Sequence, residues 1–208
     1  MNDKIDIGIA EDEDLVRAKA WWKENGSSII GGVLIGTVMV VGYNFWQSYQ
    51  EKHASEVAEL YAIYDSNPGD SAALDALLEV DDKATYTQLA RLRAANEAMA
   101  AGDLGLSESL LQGILSSQSD DSLRSVAVLR LATVYLANDK PDAALDLLDA
   151  QSDAGLPLFQ ARVQELQGDT YLLKGDADKA ASYYESSIAS MQLLGQPYVL
   201  IQLKLDNL

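Results

Sequence analysis

Among its 208 residues the chain has no cysteine, one histidine, two phenylalanines and four prolines. Without cysteine it can form no disulfide, has no thiol nucleophile and lacks the usual structural zinc sites. This absence suits an oxidising compartment, although cytosolic proteins can also lack cysteine. A single histidine, His53, excludes a His-based metal cluster and leaves no nucleophile–base pair built on histidine. Lying beside Lys52, it reads as a solvated residue. The chain is also short of positive charge, with 15 Lys/Arg against 32 Asp/Glu and a formal net charge of −17. Residues 51–208 carry 11 Lys/Arg against 25 Asp/Glu, a net −14. Such a surface repels nucleic acid, whose binding needs Lys and Arg to neutralise phosphates. It also disfavours lying flat on an anionic membrane. The acidity keeps the domain soluble. Asp81–Asp82, Asp120–Asp121 and Asp176/Asp178 fall at helix starts or turns, where carboxylates cap helices and offset their dipoles. No phosphate loop or dinucleotide glycine motif occurs. The expectation is a non-enzymatic protein with no cofactor and no metal.

The longest uncharged run is residues 25–50, 26 positions within WWKENGSSIIGGVLIGTVMVVGYNFWQSYQ. About 20 helical residues cross a hydrocarbon core roughly 30 Å thick. Nine residues of the run (Ile29, Ile30, Val33, Leu34, Ile35, Val38, Val40, Val41 and Phe45) each favour insertion by about 0.3–0.6 kcal/mol. Together they give roughly 3–5 kcal/mol, less what Asn44 and the glycines take back. Trp21 and Trp22 before the run, and Tyr43 and Trp46 at its end, suit the headgroup level. Asn25 and Gly26 suit the end of a short interfacial helix, after which Ser27 or Ser28 caps the spanning one. No A-x-A site follows the run, so it reads as a retained anchor. Arg17, Lys19 and Lys23 precede the span and only Lys52 closely follows it, which places the N-terminus in the cytoplasm and exports the rest. Gly32 and Gly36 have the GxxxG spacing that lets a second spanning helix approach.

Beyond the span the pattern is helical throughout. Val57, Leu60, Tyr61 and Tyr64 recur on one face, Ser66 to Asp70 is a break, and a short helix follows from Ala72 to about Val80. Three helix pairs then repeat. In ELQGDTYLLKGDADKAASYYESSI, residues 165–188, Gly168 and Tyr171 mark the first helix, Gly175–Asp176 the turn, and Ala180 and Tyr184 the second helix. This is the tetratricopeptide pattern, with Tyr184 at its Phe position. Gln164 and Gln192 stand where that pattern has Trp and Pro, so the match is partial. Residues 130–149 repeat it with Ala132, Tyr135, Ala144 and Leu148. An extended connection at Gly155 and Pro157 follows this copy. Residues 91–115 repeat it more weakly, with Ala95, Ala98, Ser107 and Leu111. Stacked pairs share a core and leave a surface for a partner. The stretch QPYVLIQLKLDNL caps the last pair or, through its apolar face, docks a partner.

The expected fold is all-α, a single N-terminal transmembrane helix followed by a tetratricopeptide-like helical-repeat solenoid. Its expected divisions are an acidic tail with an interfacial helix (1–26), a span (27–50), a juxtamembrane helical segment (51–83), and repeats with a capping helix (84–208). First helices line the groove in such repeats, which makes Asn96, Met99, Thr133, Leu136, Asp169 and Leu172 the candidate partner surface.

The whole chain resembles the YfgM family of Gram-negative inner-membrane proteins. The resemblance is carried by the aromatic pair before Glu24-Asn25-Gly26, the Tyr43/Trp46 end of the span, ATYTQLARLRAA at 84–95, and the final LKLDNL. It implies a single-pass inner-membrane protein with a periplasmic repeat domain, ancillary to the SecYEG translocon. It further implies that the protein works with the chaperone PpiD in handing exported clients to periplasmic chaperones. A regulatory role in stress-response signalling, through Glu11 to Asp14 of the tail, is the alternative.

Overall fold

The computed structural model describes residues 6–67, 69–117, 120–151 and 156–208, with side chains from Leu15 onward. Nine α-helices and no strand occur among the described residues. They are α1 (Asp6–Ser66), α2 (Ser71–Val80), α3 (Thr85–Ala100), α4 (Leu104–Ser116), α5 (Asp121–Ala137), α6 (Pro141–Asp149), α7 (Pro157–Leu173), α8 (Ala177–Leu193) and α9 (Val199–Asp206). The chain divides into two compact units, Met1–Ala54 and Ser55–Leu208.

In the first unit α1 runs unbroken through Asn25–Gly26, where the sequence predicts a helix end and a serine cap. Two local contacts account for the difference. The Asn25 amide donates to the Trp21 carbonyl four residues back (3.0 Å), so it bonds within the helix instead of ending it. Gly26 lies under the Trp22 indole, and a Cβ there would stand 3.2 Å from the ring, so its missing side chain makes room for the ring. From Ile30 to Trp46 the large apolar side chains are each more than half exposed, with no protein core against them. Within α1, Leu15–Ser66 is by length and composition long and apolar enough to cross a membrane. The Tyr43 and Trp46 rings lie 6.2 Å apart at one end of the apolar run. The acidic run Glu11 to Asp14 lies outside the residues whose side chains are described.

The second unit is a stack of helix pairs. Residues 55–66 of α1 pair with α2, burying Val57, Tyr64, Ala73 and Leu77 against Ala90 of α3. The turn between them holds Gly69 at φ +85°, and Asp70 caps α2 by accepting from the amides of Ala72 and Ala73. Pro68, within this expected break, lies outside the described residues. The pairs α3/α4, α5/α6 and α7/α8 follow, each with an apolar core continued by its neighbour. Gly102 and Gly175 turn two of these pairs in the left-handed conformation, and Asp139 adopts it (φ 53°) in the third. Asp103 and Asp176 then cap α4 and α8. Pro157 is the first residue of α7, while Gly155 of the expected connection lies outside the described residues.

Candidate functional site

The repeat signature has a physical cause at α7/α8. Tyr184 is fully buried, and its ring presses on the backbone of Gly168. A Cβ at Gly168 would sit 2.5 Å from ring atoms Cδ1 and Cε1, so no other residue fits there without displacing the ring. The Tyr184 hydroxyl donates to Asp169 Oδ1 at 2.8 Å. Burial and this carboxylate both push its pKa upward. Ala180 is fully buried, and Tyr171 stacks on Tyr183 at 5.3 Å. At α5/α6, Ala144 and Leu148 are fully buried and Tyr135 is half-buried. Ser107 replaces the usual small apolar residue at α3/α4 and stays satisfied by donating to the Ala95 carbonyl at 2.8 Å.

The first helices are neighbours, with α5 in contact with both α3 and α7. The six candidate groove residues fall on the C-terminal halves of these three helices. Asn96 and Leu172 are exposed. Met99 is half-buried against the core that α3 shares with α5. Leu136 is half-buried, and the Thr133 hydroxyl donates to the Leu129 carbonyl at 2.9 Å. Asp169 is already engaged, because Lys204 of α9 reaches both its oxygens at 2.7 and 2.8 Å.

Lys204 is the centre of a charged cluster that ties α9 to α7. Its ammonium also donates to Glu165 Oε1 at 2.9 Å, and the second Glu165 oxygen accepts from Arg162 at 2.6 Å. Burial alone would raise the Glu165 pKa, but the Lys204 and Arg162 hydrogen bonds outweigh it and hold the carboxyl below its usual range. For Lys204 burial alone would lower the pKa, and Asp169 and Glu165 reverse that. Sequence reading missed the cluster because its members are 39 and 35 residues apart and carry no local pattern.

It also missed a cleft of about 360 Å³ at the N-terminal ends of α5 and α7. Val126 and Leu129 line it from α5; Leu156, Leu158, Phe159 and Arg162 line it from α7 and its approach. The available signals were VAVLRL at 126–131, apolar on more than one helix face, and LPLF at 156–159. Among the described residues no group of His, Cys, Asp and Glu is placed to hold a metal ion.

A family model described as a tetratricopeptide repeat-like domain matches residues 19–208. A protein of Aggregatibacter actinomycetemcomitans named ancillary SecYEG translocon subunit is 32% identical over 205 residues, covering 96% of this chain and 98% of the relative. Proteins of the same name from Haemophilus influenzae and Escherichia coli are 29% and 30% identical, covering 96% and 95% of this chain and 98% and 96% of their own lengths. The chain belongs to this tetratricopeptide repeat-like family. No solved structure matches it. The family model takes in the apolar part of α1 as well as the repeats, so helix and stack fall within one family match. A repeat stack of this family offers extended surfaces for protein contact.

Proposed function

We propose that this chain is a single-pass inner-membrane protein whose repeat domain lies in the periplasm. It serves there as a non-enzymatic interaction module ancillary to the SecYEG translocon, and with a PpiD-like chaperone helps to hand exported proteins to periplasmic chaperones. The observation that carries this reading is near-full-length similarity to relatives bearing the ancillary-subunit name, over the apolar helix as well as the repeats. The exposed apolar run of α1 supports anchoring. In this reading Trp21, Trp22, Tyr43 and Trp46 sit at the two headgroup levels. Gly32 and Gly36, whose missing side chains face open space, are where another spanning helix packs. Asn96, Met99, Thr133, Leu136 and Leu172 belong to the partner surface, and Asp169 shapes it through its hold on Lys204 and Tyr184.

The test is photo-crosslinking in intact membranes. Crosslinkers at Asn96, Leu136 and Leu172 are expected to trap exported proteins or a periplasmic chaperone, and the tagged full-length chain to co-purify with SecYEG. Equal trapping from the exposed second-helix positions Gln112 and Glu185 counts against a first-helix surface. Absence of SecYEG from gentle purifications counts against the translocon role.

A further inference from the structure

The cleft at the start of α5 and α7 differs in character from the surface around it. Val126, Leu156 and Leu158 are 37, 63 and 45% exposed, an apolar opening above the buried Phe159. Its volume falls in the range of about 300–1,000 Å³ typical of ligand pockets. None of the described residues lining it is a carboxylate, and Arg162 is its one ionic group. An adjoining hollow of about 420 Å³ shares Ser122, Ser125, Leu156 and Phe159, and adds Arg124 and Asp121. Among the described residues the two hollows carry two arginines against one aspartate, whereas residues 51–208 carry a net −14.

Arg162 is placed to change partners. Its side chain is half exposed and pairs with one oxygen of Glu165, whose other oxygen is held by Lys204 at 2.9 Å. If Arg162 turns to a ligand carboxylate, Glu165 keeps a cation, so no buried charge is stranded.

Resting on the reading of this domain as a protein-interaction module, we propose that the cleft binds a short apolar peptide segment of another protein. Two or three aliphatic or aromatic side chains seat on Val126, Leu129, Leu156 and Leu158, and an acidic residue directly beside them meets Arg162. The position of that acid matters. Charges interact over a screening length of about 8 Å at physiological salt. A carboxylate next to the apolar anchors therefore feels the arginine, while one several residues away faces the acidic domain and is repelled. The cleft thereby selects an apolar segment with an adjacent acid over one with a distant acid.

The test uses the full-length protein in lipid nanodiscs, with empty nanodiscs as background, and fluorescein-labelled nonapeptides read by anisotropy. The first peptide has leucine, phenylalanine, leucine and aspartate in succession. The second has the aspartate moved four residues away, the third has lysine in its place, and the fourth has serine at the apolar positions. The first peptide is expected to bind best, and the serine peptide not at all. Binding should weaken about two- to fivefold when aspartate is moved or replaced by lysine, the worth of an exposed ion pair. Val126→Glu and Leu158→Gln are expected to weaken the first peptide about tenfold or more by placing polar groups in the apolar seat. Both positions are exposed, so the core stays closed; if one variant loses its melting transition, the other carries the test. Arg162→Gln should erase the preference for adjacent aspartate, and the lysine peptide, freed of repulsion, should bind as well as before or better. No binding by the wild type, or binding indifferent to the cleft substitutions or to the acid's position, overturns the proposal. Co-purification of the same variants with SecYEG separates this from the broader reading. Variants that lose peptide but keep SecYEG support both, and unaltered peptide binding with SecYEG retained sinks the cleft alone.

Discussion

Replacing Gly168 by alanine sets two effects against each other, and the structure decides between them. In a helix interior alanine is favoured over glycine by about 0.8–1.0 kcal/mol. Propensity alone therefore predicts a more stable protein. The added Cβ, however, would stand 2.5 Å from two carbons of the Tyr184 ring and 3.2 Å from a third. Relaxed carbon contacts lie at about 3.5–4.0 Å, so the ring must retreat by roughly 1 Å. It has nowhere to go, because Tyr184 is fully buried and its hydroxyl is tied to Asp169, which Lys204 holds in turn. Overpacking at such a site costs about 3 kcal/mol, the upper part of the usual range. Distorting the hydroxyl's hydrogen bond adds about 1 kcal/mol. The net expectation is a loss of about 3 kcal/mol, or about 6–12 °C in Tm for a unit of this size. The three tryptophans are Trp21, Trp22 and Trp46, all outside the repeat unit, so the assay is far-ultraviolet circular dichroism of the full chain in nanodiscs with urea. In a double-mutant cycle, Tyr184→Leu vacates the ring's place, and Gly168→Ala should then be neutral or stabilising. That corresponds to a coupling of about 3 kcal/mol or more. A stabilised Gly168→Ala single variant, or additive effects in the cycle, would refute the reasoning.

Other expectations follow from the same contacts. Lys204→Met leaves Asp169 and Glu165 short of a cation; it should cost about 1–2 kcal/mol in urea unfolding and speed hydrogen exchange in α9. Asp139→Gly relieves a non-glycine residue held at φ 53° and should stabilise by about 0.5–1 kcal/mol in the same assay. Tyr64, pushed up to about 12 by burial and then by Glu97, and Tyr184 and Lys204, also raised, hold their protons more tightly when folded. Their contribution is complete below the unfolded values of about 10 for Tyr and 10.4 for Lys, and is lost as pH rises through the folded ones. Glu165, whose folded pKa is depressed, behaves oppositely, and its contribution disappears as pH falls from about 4.3 through the folded value. A flat urea midpoint above pH 10 would contradict the alkaline part.

What was legible in the sequence was whatever depends on near neighbours in the chain. A charge-free run long enough to cross a membrane can be counted, and Gly168, Tyr171, Ala180 and Tyr184 recur at spacings set by one helix and its hairpin. The misreading at Asn25–Gly26 was local. Asn and Gly do end helices, but here Asn25 bonds back to Trp21 and Gly26 seats Trp22, each four residues away, a spacing that a continued helix supplies and that the residue types alone do not reveal. Contacts between distant segments were illegible. The face of Val57 and Tyr64 was visible, but not its packing on Leu77 and Ala90. Asp169 was visible as a first-helix residue, but not its capture by Lys204. The cleft depends on how α5 and α7 begin side by side and on Met191, Gln196 and Pro197 at and just past the end of α8, which the helical period of any one helix does not report.

In the proposed topology α1 anchors the chain and holds residues 55–208 outside the cytoplasm. Protease added to intact spheroplasts carrying a C-terminally tagged chain tests it directly. The tag is expected to be lost while a cytoplasmic control protein stays whole. A tag that survives until the inner membrane is ruptured would contradict it.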